Sequence, residues 1–211
     1  MIMNTPARLV KTFILLLFTS NLWAAVPDYI PGKYEVDNAH SRVSFIIPHF
    51  VVSEVEGRFN EVKGEFTLAK PFTNSKFTAT VPVKSIDTGI QKRDDHLRSK
   101  DFFEVEKYPD MKLVSKSISG TPESFKLVAA LTIKDVTRDV TFDGKYTGSV
   151  KDSWGQQRAA LQATATINRK DFNINYDDKV DLGPAVGHEV KIRLWTEGVK
   201  AEDAQKGPPK K

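Results

Sequence analysis

The 211 residues carry 31 Lys and Arg against 27 Asp and Glu, a net charge of +4, and no cysteine. A balance this close leaves no footprint for nucleic acid, and the missing thiols exclude disulfide staples, thiolate zinc sites and cysteine nucleophiles. The length suits one domain whose core can stand on packing alone.

Arg8 and Lys11, with no acidic neighbour, precede the apolar run Phe13–Phe18 and a small-residue exit at Ala24 or Ala25. This reads as a secretory signal peptide over residues 1–24, with Leu22 bulkier than usual at the minus-three position. The run is too short to span a bilayer. Removing 24 of the 211 residues leaves 187, and losing Arg8 and Lys11 leaves 29 basic against 27 acidic side chains, a net +2.

From Lys33 to Lys200 the pattern is period-two alternation broken by turn residues, which predicts an antiparallel meander in one domain over residues 25–200. Val43, Phe45 and Ile47 share a face of a first strand, and Val55, Gly57 and Phe59 open a second. Apolar parity then switches to Val62, Gly64, Phe66 and Leu68, which one extra residue near Asn60 or Glu61 would produce. Phe77, Ala79, Val81 and Val83 mark the third strand.

The segment from Thr88 to Pro109 breaks the alternation and predicts a short helix near residues 89–104. Thr88 and Gln91 have capping-box spacing, and Pro109 disfavours helix at Tyr108. Asp94 with Arg98 and Lys100 with Glu104 are spaced as surface ion pairs. That bland role leaves unexplained why Arg93, His96, Leu97, Phe102 and Phe103 fall together. On a helix capping a barrel mouth they would set donors beside an apolar wall and suit a lipid head group; as a plain plug, Arg93 and Asp94 would satisfy buried backbone groups.

Four further strands follow: Met111–Ile118, Phe125–Ile133, one holding Val140, Phe142 and Tyr146, and one over Ala159, Leu161, Ala163, Ala165 and Ile167. Lys134-Asp135 predicts a tight hairpin, with Asp135 taking the left-handed position. Val190, Ile192 and Leu194 give the eighth strand, and the longer loops surround Trp154 and span Asn175–Gly187. Residues 201–211 hold little to bury and read as a disordered tail.

About eight amphipathic strands predict an all-β, lipocalin-like, up-and-down barrel, with a two-layer sandwich as the alternative. Eight strands enclose either a filled core or room for one small ligand. The small Ala79, Ala129, Ala159, Ala163 and Ala165 on the inner face favour the cavity.

Enzyme signatures are scarce. There is no phosphate-cradling Gly-x-x-x-x-Gly-Lys and no Gly-x-Ser-x-Gly elbow, and His188-Glu189 lacks the second histidine of a zinc protease. His40, His49, His96 and His188 are too scattered to predict a metal site. Asp177, Asp178 and Asp181 lack calcium-loop spacing and read as a solvated acidic loop.

The run Arg93-Asp94-x-His96-Leu97-x-Ser99-x-Asp101-Phe102-Phe103 followed by Lys107-Tyr108-Pro109 resembles the YceI family of exported, polyisoprenoid-binding, lipocalin-like barrels. His40-Ser41-x-Val43-x-Phe45-x-Ile47-x-His49, Leu131–Thr137 and Asn168-Arg169-x-Asp171-Phe172 extend the resemblance over nearly the whole mature chain. Asp135 stands where the family often has glycine, Ala160-Leu161 where it has Gly-Phe, and Asp139 where many members have proline. The resemblance implies that Phe45, Val81, Val83, Leu131, Phe142 and Leu161 line a tunnel, and that Arg93, Asp94, His96, Arg169 and Asp171 order its polar end.

The function expected is therefore a periplasmic, non-catalytic lipid-binding protein. It would hold an isoprenoid quinone, a polyprenyl lipid or a fatty amphiphile for carriage or sequestration, with no cofactor beyond that ligand. Strands of about ten residues tilted by ~40° give a barrel about 25 Å tall, so a long chain would bend or protrude. Transient membrane contact is compatible with this reading, and oligomeric state stays open. The alternatives are a filled-barrel scaffold or stress-response protein, and an enzyme using His96 as acid or base with Arg93 as anion clamp.

Overall fold

The computed structural model describes residues 28–180 and 183–204. The expected signal peptide, Asp181 and residues 205–211 of the expected tail lie outside the described residues. The chain runs through β1 (Gly32–Val36), β2 (Arg42–His49), β3 (Ser53–Phe59), β4 (Lys63–Leu68), β5 (Lys76–Pro82) and β6 (Ile86–Asp87). Helix α1 (Gln91–Arg98) follows, then β7 (Asp110–Thr121), β8 (Ser124–Ile133), β9 (Val136–Lys151) and β10 (Gln157–Asn168). A small separate hairpin, β11 (Lys179–Val180) with β12 (Gly183–Pro184), precedes β13 (Glu189–Lys200) and α2 (Ala201–Ala204).

The first six strands are three broken staves. β1 and β2 lie end to end along one edge of β13, with Tyr34 opposite Lys200 and Val43 opposite Leu194. β3 and β4 continue each other across the break at residues 60–62, where the parity switch predicted a bulge, and β6 extends β5 by pairing with β3. The break is held by the Asn38 side chain, whose Oδ1 accepts the Val62 N–H at 2.6 Å and so keeps that backbone donor from being orphaned. β13 pairs on its other edge with β10 from Asn168–Glu189 to Arg158–Val199, which closes eight antiparallel staves into a barrel. A closed ring leaves no free edge, so the sandwich alternative fails. β1 is too short for its alternation to stand out in the sequence, since only Tyr34 and Val36 carry its inner face.

Successive connections of a meander alternate between the ends of its barrel. The β2–β3 tip, the α1 segment, the β8–β9 turn and the connection from residue 169 to 188 therefore share one end. At the opposite end the rings of Tyr29, Phe72 and Tyr146 meet edge-on at 5.4 to 5.9 Å, and Tyr34 stacks on Phe66 at 5.1 Å. Tyr34 Oη donates to Ile30 O and Tyr146 Oη to Asp28 O. That end is filled.

Several local expectations need correction. α1 spans eight residues rather than 89–104, because Ser99 turns extended and caps back onto His96 O. The Thr88–Gln91 capping box does not form: Ile90 is the N-cap, Gln91 bonds Asp95, and Thr88 gives its N–H and hydroxyl to the Asp94 carboxylate. Asp94, thus occupied, does not pair with Arg98, which bonds Asp95 at 3.0 Å and the main-chain oxygens of Lys84 and Ile86. Glu104 faces Lys134 at 3.8 Å instead of Lys100. In the β8–β9 turn the left-handed residue is Lys134, not Asp135. Residues 201–204, expected in the disordered tail, instead form α2 and bury Asp203, whose carboxylate accepts the Gln157 N–H.

Candidate functional site: an apolar cavity with a polar mouth

The eight staves enclose a cavity of about 760 Å³, within the 300–1,000 Å³ usual for ligand sites. The filled-barrel alternative is thereby overturned. At about 30 Å³ per heavy atom, the volume share of a water molecule in the liquid, the cavity takes about 25 heavy atoms. Its floor is a stack of rings, Phe66 on Phe77 at 6.1 Å and Phe77 on Phe125 at 6.4 Å, above the filled end. Of the five alanines read as making room, Ala79 and Ala163 face the void, while Ala129, Ala159 and Ala165 are buried away from it.

Among the expected lining residues, Phe45, Val81, Leu131, Phe142 and Leu161 face the cavity. Val83 does not: it starts a 3-10 turn after β5 and is buried against the shell, its N–H on Pro109 O at 2.8 Å. At the mouth Arg93, His96, Leu97, Phe102, Phe103 and Arg169 are all brought to the void. Asp94 and Asp171 are not. Asp94 is buried beneath α1, where its carboxylate fixes Thr88, and Asp171 sits exposed on the turn after β10.

The mouth is cationic in a particular way. Arg93 donates Nε to Thr88 Oγ1 and Nη2 to Thr88 O, both at 2.7 Å, and Asp94 reaches it only through Thr88. Arg169 is 3% exposed and donates to three main-chain oxygens, those of Gly187, Ile174 and Val186, at 2.6 to 3.1 Å. No carboxylate pairs with either guanidinium within 4 Å among the described residues. Burial pushes Arg169 below its ordinary pKa, and the charge of Asp177 opposes that shift. Both groups keep N–H donors beyond those used, since a guanidinium has five.

One lining residue was invisible to sequence reading. Tyr176, from the loop after β10, sets its ring 5.2 Å from His96 and 4.7 Å from Phe102, and these two lie 5.0 Å apart. The three rings come from two connections and close over the void together. His96 Nε2 bonds Asp101 at 3.1 Å. Tyr176 Oη donates to Asp178, a bond that, with burial, raises the phenol pKa. Asp177 pairs with Lys170 at 3.0 Å, so the two described carboxylates of this loop are partnered rather than merely solvated.

The histidines stay apart: His40 bonds Asp37, His49 packs on Phe50, and His188 faces Asp177 at 3.5 Å. Asp37, His40 and Glu197 lie close enough together to hold a cation. The Arg158 guanidinium already binds two of them, at 2.8 and 2.7 Å.

A closed antiparallel barrel around an apolar void, with polar groups gathered at one mouth, defines a lipocalin-like binding barrel. A profile of the YceI-like domain matches residues 34–197. A UPF0312 protein of Yersinia enterocolitica is 37% identical over 82% of this chain and 89% of its own length. Protein YceI of Escherichia coli O157:H7 is 36% identical over 90% and 95%. The chain belongs to the YceI-like family. A Campylobacter jejuni YceI protein shares the fold at TM-score 0.63 and 26% identity, covering 72% of this chain and 89% of that one. A polyisoprenoid-binding domain from Saccharophagus degradans does so at 0.60 and 14%, covering 79% and 98%.

Proposed function

We propose that this protein is an exported, periplasmic carrier that holds one long-chain amphiphile in the barrel and catalyses nothing on it. The observation that carries the reading is the 760 Å³ apolar void, closed at one end by rings and bordered at the other by two arginines that have no carboxylate partner among the described residues. The amphiphile is an isoprenoid, a quinone or polyprenyl lipid, or a similar fatty chain. Support for that class comes from the polyisoprenoid-binding neighbour in Saccharophagus degradans, and support for export from the basic-then-apolar pattern of residues 1–24.

Each buried methylene contributes about 0.8 kcal/mol, so roughly ten offer about 8 kcal/mol before ordering costs are subtracted. A tail of about 25 carbons filling the void offers about 20 kcal/mol, and costs of about 4–15 kcal/mol leave an affinity around micromolar. With about 25 heavy atoms of room, the void takes about five isoprene units, and a longer tail bends or protrudes. A methylene more or less discriminates by only about 1–3 kcal/mol, so preference among tails is modest and the head group decides more. Arg93 and Arg169 favour acceptor-rich or anionic heads.

Mass spectrometry of organic extracts from the purified protein should recover a stoichiometric, chemically unchanged amphiphile. Arg93→Ala should weaken an anionic-headed lipid about tenfold or more and a neutral one little. Equal loss for both, or release of a converted product over many turnovers, would refute the carrier reading.

A further inference from the structure

The β2–β3 connection is three residues long, Phe50-Val51-Val52, between the paired His49 and Ser53. All three are large and apolar and all three face solvent, at 41%, 61% and 77% exposure. Phe50 (φ 51°) and Val51 (φ 64°) both occupy the left-handed region, which a β-branched residue enters only at a cost and where Asn-Gly is the stable choice. The chain thus keeps a strained turn that displays Val51 and Val52, the two side chains of the tip that bury least. Phe50 also lines the cavity, and its N–H bonds Ala185 O at 3.0 Å, so the tip belongs to the mouth. Ile90, 53% exposed at the start of α1, lies at the same end.

We propose that this tip seats the cavity mouth on a zwitterionic bilayer, so that the amphiphile passes between leaflet and barrel without crossing water. The inference rests on reading the cavity as a lipid site. Three side chains present too little area for a second copy of the chain, since a stable protein interface buries about 800 Å² per partner. A bilayer needs no complementary shape, only apolar groups sunk ~5–10 Å into the head-group boundary. The charges around the mouth nearly cancel, which suits a surface of no net charge: from Thr88 to Pro109 five basic residues face five acidic ones, Lys134 is matched by Asp135, residues 169–188 hold three basic against four acidic, and the tip carries none.

The test uses the purified full chain, phosphatidylcholine vesicles and a fluorescent short-chain fatty acid dissolved below its micelle concentration. Val51→Asp/Val52→Asp should cut vesicle co-sedimentation at least tenfold and slow transfer of a labelled isoprenoid between vesicles, while the dissolved probe loads as in the parent. Val51→Gly/Val52→Ser, which suits the left-handed φ, should melt no lower than the parent and lose vesicle binding too; it keeps the test sound if the aspartates misfold. Equal sedimentation of parent and variants overturns the proposal, as does a parent that loads the probe but ignores vesicles. So does a parent dimer in light scattering that the same substitutions dissolve. Failure of every protein to load the probe would instead strike the cavity reading itself.

Discussion

Filling the void from its wall separates a hollow barrel from a packed one. Ala163 faces the cavity, whereas Ala129, two staves away and fully buried, does not. Ala163→Phe adds six ring carbons, up to about 180 Å³ at about 30 Å³ per heavy atom, close to a quarter of the 760 Å³ available. It displaces as many as six methylenes of tail, worth about 5 kcal/mol or more than a thousandfold in Kd. The ligand-free protein should scarcely notice, with a Tm within a few degrees of the parent. Ala129→Phe has nowhere to go and should cost about 1–3 kcal/mol or more by overpacking, lowering Tm by roughly 3–10 °C. Thermal melts of ligand-stripped protein and titration with a fluorescent isoprenoid analogue read the two effects. Equal destabilisation by both substitutions, or unchanged binding in Ala163→Phe, would refute the reasoning.

Asp94→Ala strips the acceptor of the Thr88 N–H and hydroxyl and should cost about 2–3 kcal/mol in urea unfolding, with Asp94→Asn losing less. Gly57→Ala would set a Cβ 2.4 Å from Phe45 Cζ and 2.9 Å from Thr88 Cγ2, a clash of about 1–3 kcal/mol; adding Phe45→Leu should recover part of it in a double-mutant cycle. Burial alone would raise the Asp37 carboxyl, but hydrogen bonds from Arg158, His40 and the Ala39 N–H outweigh it and hold it below its ordinary 3.8. Arg158 likewise leads the groups that lower Asp152. Depressed carboxylates stabilise fully above the unfolded value and lose that contribution as pH falls through the folded one. Melting temperature should therefore drop below about pH 4, and Arg158→Met should lower it at pH 7 while flattening that acid limb.

The alternation of Phe125, Leu127, Ala129, Leu131 and Ile133 made β8 readable in advance, as did the similar runs in β10 and β13, because one buried face imposes period two whatever the partner strand. The break at residues 60–62 was legible for the same reason: a shifted parity must be absorbed somewhere. Local polar contacts were less legible. Thr88 could cap a helix or bond Asp94, and only the burial of Asp94 under α1 decides between them.

Chain order determined the class of protein: eight amphipathic staves, one charged interruption, and a family pattern spread along them. Tertiary structure decided the rest. Closure of β13 on both β1 and β10 determines which inward alanines meet empty space and which meet neighbours. It also brings Tyr176 onto His96 across 80 residues of chain and leaves the Phe50–Val52 tip bare beside the mouth. Periodicity reports which face a residue occupies, because that depends on backbone geometry alone. Whether the face meets a void, a ring or water depends on residues far away in sequence, and one dimension carries no record of them.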